Sequence, residues 1–299
     1  LAASPSGSLP RRLAGLATLA AGLAVSLVRL TLRRPAAVAA FGGYASVPTG
    51  LAAGLLRVPL VLHEQNAVLG RAHRLLLRFA ARIATSFPET AGLPAGRASA
   101  FTGNPVRADF HATPEQRAGD AVRLFVVGGS QGARVFSEVL PAAVGRLPAP
   151  LRARLCVVQQ CRPEDLTGVE ATYAELGVTA ELAPFFDDVP ARLAAADLVV
   201  SRAGASAVAE LLVVGRPAVL VAYPYAADDH QRANARALEA AGAAVAVDPA
   251  EATAERLAGV LAELVDDAGR RRAMATAARR LGRADAAERL AELVEEVMA

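Results

Sequence analysis

Short apolar runs, each bounded by glycine, proline or polar residues, alternate along this chain with segments whose apolar residues return at helical spacing. The pattern is most regular in the second half. There it predicts strands Val122–Val127, Arg154–Gln159, Thr179–Ala183, Leu198–Ser201, Ala218–Val221 and Ala244–Val247. Helices are predicted from near Ala133 and over Glu164–Leu176, Val189–Ala195, Ser206–Val213, Gln231–Ala241, Ala254–Val265, Gly269–Leu281 and Asp285–Met298. The first part reads as a helix Arg11–Leu32 stopped by Pro35, strands Ala36–Phe41, Val58–Leu62 and Ile83–Ser86, and helices Val47–Leu56 and Arg71–Ala81. Phe87–Arg97, rich in Pro and Gly, is loop.

Strand and helix alternating in this way argue for an α/β protein with parallel sheets covered by helices. A polar, Pro-containing stretch, His111–Asp120, reads as a linker. Two Rossmann-like domains are therefore expected, residues 1–118 and 119–284, with a ligand cleft and a last helix over 285–299. A chain of 299 residues is long enough for both.

Composition narrows the picture. Lys is absent, so all 32 basic residues are Arg, and the net charge is only +3 with the acids interspersed. No concentrated basic tract is present, and nucleic acid is not an expected partner. Cys156 and Cys161 have neither zinc-site spacing nor the numbers of a disulfide framework, which fits a reducing compartment. Leu13 to Val28 carries no charge, but Ala and Gly dominate it. A buried or membrane-lying helix is expected ahead of a spanning one.

Candidate chemistry sits where strands end. Ser201 to Glu210, SRAGASAVAE, joins a strand to a helix through small residues. Backbone N–H groups at such a helix start suit a diphosphate, and Glu210 one turn on suits the two hydroxyls of a ribose. The loop Gly128 to Gly132 also follows a strand, with Ser130 as a hydroxyl donor; it lacks the Lys of a P-loop, so nucleotide hydrolysis is not expected. His63-Glu64-Gln65-Asn66 ends a strand, and a His beside a carboxylate can move a proton. The pairs Asp187-Asp188, Asp228-Asp229 and Asp266-Asp267 lack the partners of a metal site; Asp188 reads as a helix cap and the others as solvated. Gln231, at a helix start, can donate and accept toward a sugar or phosphate.

Taken together, FGGYASVP, LHEQNAVLG, TGNPVR, VVGGSQGAR, FFDDVPARLAAADLVVSRAGAS and DDHQRANARALEAAGAA resemble the MurG family of glycosyltransferases, in the family's order from Phe41 to Ala244. The resemblance implies two facing Rossmann-like domains of the GT-B type and a final helix that crosses back to the first. It implies transfer of GlcNAc from UDP-GlcNAc to undecaprenyl-pyrophosphoryl-MurNAc-pentapeptide, with inversion, at the cytoplasmic face of the inner membrane. The enzyme would be peripheral on an anionic surface, and no cofactor or metal is implied. Matched to the family's motifs, Asn66 and Arg107 face the donor from the first domain and Ser130 contacts its diphosphate. Phe186 stands where backbone reads the uracil. Ala205, Ser206, Ala207, Val208 and Ala209 wrap the phosphates, Glu210 binds ribose and Gln231 touches diphosphate or GlcNAc. Tyr44, His63 and Glu64 lie near the acceptor, and His63 helped by Glu64 is the expected base. Two departures stand out: the family's opening GGTGGH-type loop has no counterpart here, which leaves the first domain incomplete, and Ala207 replaces a frequent hydroxyl residue. Two other readings are a shortened product that binds UDP-GlcNAc without turning it over, and a UDP-sugar 2-epimerase, which shares the two-domain plan but would need its own acid and base residues and fits HEQN and GNPVR poorly.

Overall fold

The computed structural model describes residues 9–111, 119–129 and 134–298. Most of the expected linker, and the loop carrying Ser130, lie outside the described residues. The chain divides into two compact units, Leu1–Pro105 with Asp285–Ala299, and Val106–Ala284. The first break falls at Pro105, ahead of the expected 118, because Phe110 is buried and its 3-10 turn, Ala108–His111, packs on two helices of the second unit.

In the first unit, strands β1 (Val38–Ala40), β2 (Leu60–Glu64), β3 (Ala80–Thr85) and β4 (Ala100–Phe101) form a four-stranded parallel sheet in that order. All five residues of β2 are buried, as a central parallel strand requires. Helices α1 (Leu9–Leu32), α2 (Gly43–Leu55) and α3 (Arg71–Leu76) accompany it. The sequence placed the start of α2 at Val47, with Pro48 at its first turn. It starts instead at Gly43, because Gly42 (φ 83°) and Gly43 (φ 68°) adopt left-handed conformations that turn the chain directly from β1 into a helix. The expected helix to Ala81 ends at Leu76, where a 3-10 turn, Leu77–Phe79, delivers Ala80 into β3.

Helix α1 packs along α2, and Ser26 Oγ lies 3.2 Å from Thr49 Oγ1. Gly15 and Gly22 are buried and Leu19, Leu23, Leu27 and Leu30 are half-buried. Leu13, Leu16, Val25, Val28 and Leu32 are exposed. Leu13–Leu32 is long and apolar enough to cross a membrane by length and composition, and only 11% of it is buried.

In the second unit, β5 (Val122–Val127), β6 (Leu155–Gln160), β7 (Thr179–Ala183), β8 (Leu198–Ser201), β9 (Ala218–Val221) and β10 (Ala244–Val247) form a six-stranded parallel sheet, ordered β10-β9-β8-β5-β6-β7. The helices are α4 (Arg134–Gly145), α5 (Ala149–Arg152), α6 (Leu166–Glu175), α7 (Val189–Ala195), α8 (Ala205–Val214), α9 (His230–Ala240), α10 (Ala254–Asp266) and α11 (Ala268–Leu281). One face of the sheet buries Leu124, Val126 and Val200 against Phe136, Leu140 and Leu261. Asp188 does not cap α7. Its φ and ψ of −102° and 32° lie outside the extended region a capping residue adopts, and its carboxylate pairs with Arg192 at 2.6 Å. Asp267, expected to be solvated, is a cap: it accepts from the Arg270 N–H at 2.7 Å. The last helix, α12 (Ala286–Glu295), belongs to the first unit, where Leu290 and Leu293 cluster with Val61 and Ala84.

Two glycines of α2 set how close α3 and the turn after it can come. A Cβ on Gly50 would lie 2.5 Å from Leu76 Cδ1, and one on Gly54 would lie 2.4 Å from Phe79 Cγ. Ala in a helix interior gains about 1 kcal/mol over Gly, whereas overpacking costs about 1–3 kcal/mol. Gly54→Ala is therefore expected to lower the thermal midpoint of the first unit; a higher midpoint would mean that the Phe79 ring moves aside at little cost.

Candidate active site

The strand order of the second unit fixes where a ligand can sit. The crossovers from β5 and β8 leave toward opposite faces of the sheet, so a crevice opens at their C-terminal ends. A cavity of about 440 Å³ lies there, lined by Arg107, Gln160, Phe186, Ser201, Ala207 and Glu210 among others. Of the residues expected at the donor, Arg107, Phe186, Ala207 and Glu210 are thus brought together.

Helix α8 begins at this cavity. Gly204 precedes it in an extended conformation (φ −66°, ψ 145°) and no side chain caps the helix, so its first N–H groups remain available to a ligand. Val208 and Ala209 are buried, so any part they take comes through their backbone. Glu210 lies one turn on. Burial pushes its carboxyl above the ordinary range, and the nearby Arg107 guanidinium pulls it back down. Arg107 was expected to approach from the first domain; it belongs to the second unit and lies with its guanidinium 5.3 Å from the Phe110 ring centroid. Phe186 is buried, edge-on to Phe125 at 5.9 Å, and Arg192 stacks over it at 4.0 Å. Gln231 Oε1 accepts from the Tyr223 N–H at 3.0 Å, and its Nε2 is near Gly204.

Three polar residues that the sequence reading did not single out hold these loops. Asn234, fully buried, donates to the Ala203 carbonyl at 2.9 Å. Arg202 donates to the carbonyls of Val221 and Ala222, at 3.2 and 2.7 Å. Gln160 accepts from Gly128 N–H and donates to Pro184 C=O, both at 3.2 Å. The only signal was their position at strand ends and a helix start.

The first unit gathers the other expected residues differently from the expectation. His63 is completely buried. Its Nε2 is 2.8 Å from the Gly103 carbonyl, and its Nδ1 is 2.9 Å from Gln65 Nε2. Nε2–H therefore donates and Nδ1 accepts, and no lone pair is left for a substrate proton. Burial lowers its pKa and outweighs the Gly103 bond that would raise it. Glu64 does not assist His63. Its Oε2 meets His73 Nδ1 at 2.7 Å and accepts from Gly70 N–H at 2.8 Å, while Oε1 accepts from the Asn66 N–H and side-chain amide at 3.0 and 3.2 Å. Burial pushes this carboxyl up, but the bonds from His73, Gly70 and Asn66 outweigh burial and hold it below the ordinary range. His63 and Glu64 are thus a scaffold for the segment ending in Asn66. Tyr44, in the first turn of α2, is half-buried and is the one expected catalytic group of the three with an exposed surface.

A six-stranded sheet in Rossmann order, with a small-residue helix start and an acid at its switch point, is the architecture of a nucleotide-binding α/β protein. Residues 123–290 match the Glycosyltransferase family 28 C-terminal domain, and residues 8–85 its N-terminal domain. The UDP-N-acetylglucosamine–N-acetylmuramyl-(pentapeptide) pyrophosphoryl-undecaprenol N-acetylglucosamine transferase of Methylobacterium sp. (strain 4-46) is 53% identical, over 98% of this chain and 82% of its own length. The protein of the same name from Paramagnetospirillum magneticum is 52% identical over 87% of this chain and 72% of its own length. The crystal structure of Acinetobacter baumannii MurG superposes with a TM-score of 0.80 at 32% identity, covering 97% of this chain and 82% of that one. UDP-GlcNAc 2-epimerase from Neisseria meningitidis, at 12% identity and a TM-score of 0.65, shares the fold alone. The chain belongs to glycosyltransferase family 28.

Leaving buried donors without the carboxylate that accepts from them costs about 1–3 kcal/mol, more where a charged group is involved. Glu64→Gln is therefore expected to destabilise the first unit by about that much in denaturant unfolding. The Glu64 carboxyl is depressed on folding, so its contribution is present above the ordinary carboxylate pKa and is lost as pH falls through the depressed value. Wild type and Glu64→Gln should converge in stability under acid; a constant gap down to low pH would mean the ionised carboxyl is not the cause.

Proposed function

We infer that this chain is an inverting N-acetylglucosaminyltransferase that moves GlcNAc from UDP-GlcNAc to undecaprenyl-pyrophosphoryl-MurNAc-pentapeptide, forming the second lipid-linked precursor of peptidoglycan synthesis. The carrying observation is the cavity at the β5/β8 switch point, in which an acid, an uncapped helix start and the aromatic pair Phe185–Phe186 converge in a chain half-identical to transferases of that name.

In this reading the uracil lies along Phe185–Phe186, Glu210 takes the ribose hydroxyls, and the diphosphate lies on the start of α8 between Ala205 and Ala209. As the glycosidic bond breaks, negative charge grows on the β-phosphate. The α8 N–H groups, with Ser130 and Gln231 as further donors, stabilise that charge without needing reorganisation. Asn66, held by Glu64, is fixed in the loop between β2 and α3. Tyr44 and the Gly42–Gly43 turn serve the acceptor. His73 Nε2, buried and without a hydrogen-bond partner among the described residues, lies beside that turn.

Glu210→Ala should weaken UDP binding by about 1.5–3 kcal/mol, the worth of a hydrogen bond to a charged group, in calorimetry. Because burial raises the Glu210 pKa, UDP affinity should fall on acidification at a higher pH than an ordinary carboxylate would give, and that dependence should vanish in Glu210→Ala. Unchanged UDP binding in the mutant removes Glu210 from the site.

The acceptor's polyprenyl tail stays in the bilayer, so the enzyme must work at its surface. We propose that α1 docks there peripherally through Leu13, Leu16, Val25, Val28 and Leu32, the face that α2 leaves exposed, with Arg29, Arg33 and Arg34 at its end. Leu19, Leu23, Leu27 and Leu30, which share the periodicity, are half-buried along the side toward α2. Each Arg near an anionic surface adds about 1 kcal/mol. In vesicle flotation, binding should need anionic lipid, fall at high salt, and weaken when Arg29, Arg33 and Arg34 become Glu. Resistance to both high salt and alkaline carbonate would show an embedded helix instead.

A further inference from the structure

Gln160 ends β6, and its side chain lies across the ends of three neighbouring parallel strands. To one side it accepts from the Gly128 N–H, in the loop that leaves β5; to the other it donates to the Pro184 carbonyl, just past β7. It is 4% exposed, lines the cavity and is not itself assigned a substrate contact above. A primary amide is the neutral side chain that can both accept and donate in this way. The two loops it joins differ in what they offer. Gly128–Gly129 leads into the glycine-rich loop on the diphosphate side, and Gly129 lines the cavity at φ 83°. Pro184 precedes Phe185 and Phe186, which line the same cavity.

The bond to Pro184 also sets the direction of the next amide. In a trans peptide the C=O and N–H point to opposite sides of one plane. Fixing the Pro184 carbonyl on Gln160 therefore fixes the Phe185 N–H on the side away from Gln160. The same holds at Gly128, whose N–H is turned toward Gln160 and whose preceding Val127 carbonyl is turned away. One buried side chain thus sets two backbone segments in a single frame.

We propose that Gln160 is a positioning residue that couples recognition of the base to recognition of the diphosphate, and so determines the preference for a uridine nucleotide. The proposal rests on the donor site read above. A backbone that reads a base edge discriminates only if its donors and acceptors are held within a few tenths of an ångström. Uracil and cytosine differ at N3 and at the exocyclic group of C4, so a slackened Pro184–Phe186 segment loses the distinction between them. It loses much less of what the two nucleotides share, the ribose and the phosphates.

The test is calorimetric titration of UDP, CDP and uridine into wild type, Gln160→Met, Gln160→Glu and Glu210→Ala. Gln160→Met keeps the shape and removes both bonds. Gln160→Glu keeps an acceptor for Gly128 and, when ionised, cannot donate to Pro184. Both should lower the UDP-to-CDP affinity ratio by about tenfold, the worth of a lost hydrogen bond of roughly 1.4 kcal/mol. Gln160→Met should in addition narrow the gap between UDP and uridine. Glu210→Ala should weaken all three ligands and leave the UDP-to-CDP ratio unchanged. If Gln160→Met does not fold, Gln160→Glu carries the test alone. A ratio unchanged in the folded variants, with overall affinity reduced or not, overturns the proposal. If Glu210→Ala binds every ligand as wild type does, the donor site itself is misplaced and the proposal falls with it.

Discussion

The second unit depends on one topological constraint. Its sheet is parallel throughout, the chain enters at β5 in the middle, and it returns to β8 beside β5. The helices that follow these two strands must leave toward opposite faces, which opens a crevice between their starts. The crevice is thus a consequence of strand order. What the sequence adds is its lining. Small residues at Gly204, Ala205 and Ala207 keep the backbone at the surface, and Glu210 stands a turn deeper where burial raises its pKa. The buried polar residues then hold the loops: Asn234 at Ala203, Arg202 at Val221 and Ala222, Gln160 at Gly128 and Pro184.

The first unit solves a related problem with different chemistry. β2 is buried along its whole length, yet its last two residues are His63 and Glu64. Two titratable groups in such a place are tolerated only if every polar atom finds a partner. His63 does so as a neutral ring, donating at one nitrogen and accepting at the other. Glu64 does so as an anion with four donors around it. The outcome is a rigid path from the end of β2 through Asn66 to the start of α3 at Gly70, a loop whose backbone and side chains are fixed before any substrate arrives.

Much of this was legible in the sequence. Val122–Val127, Thr179–Ala183, Leu198–Ser201, Ala218–Val221 and Ala244–Val247 are strands at the expected residues, because buried parallel strands are short apolar runs with abrupt polar or glycine ends. The helix after β8, expected from Ser206 and found from Ala205, was legible for the same reason: it follows such a run. β4, two residues long, was missed because it is too short to leave a pattern. The start of α2 was misread because Pro48 is a common first residue of helices, and here it lies in the second turn. His63 and Glu64 were read as reactive because a polar residue at a strand end looks the same in sequence whether it faces a ligand or a buried partner. The partners that decide it are Gly103 for His63, forty positions away, and His73 for Glu64, which reads as an ordinary helix residue.

Gln160 shows the same ambiguity from the other side. Two adjacent glutamines, Gln159 and Gln160, end β6, and both are buried. In a strand, neighbours point to opposite faces. Gln159 accordingly turns into the core, where it accepts from the Tyr173 hydroxyl at 2.7 Å and donates to the Phe136 carbonyl at 3.3 Å. Gln160 reaches the loops around the cavity. Identical residues one step apart thus tie down two sets of elements: Gln159 joins β6 to α4 and α6, and Gln160 joins it to the loops after β5 and β7. An apolar residue at Gln159 would leave the buried Tyr173 hydroxyl without its acceptor, and one at Gln160 would leave the Gly128 N–H and the Pro184 carbonyl without theirs, at a cost of about 1–3 kcal/mol for each group. Gln160 is therefore an amide because it lies where the apolar core gives way to irregular backbone, whose buried N–H and C=O groups need a partner that both accepts and donates.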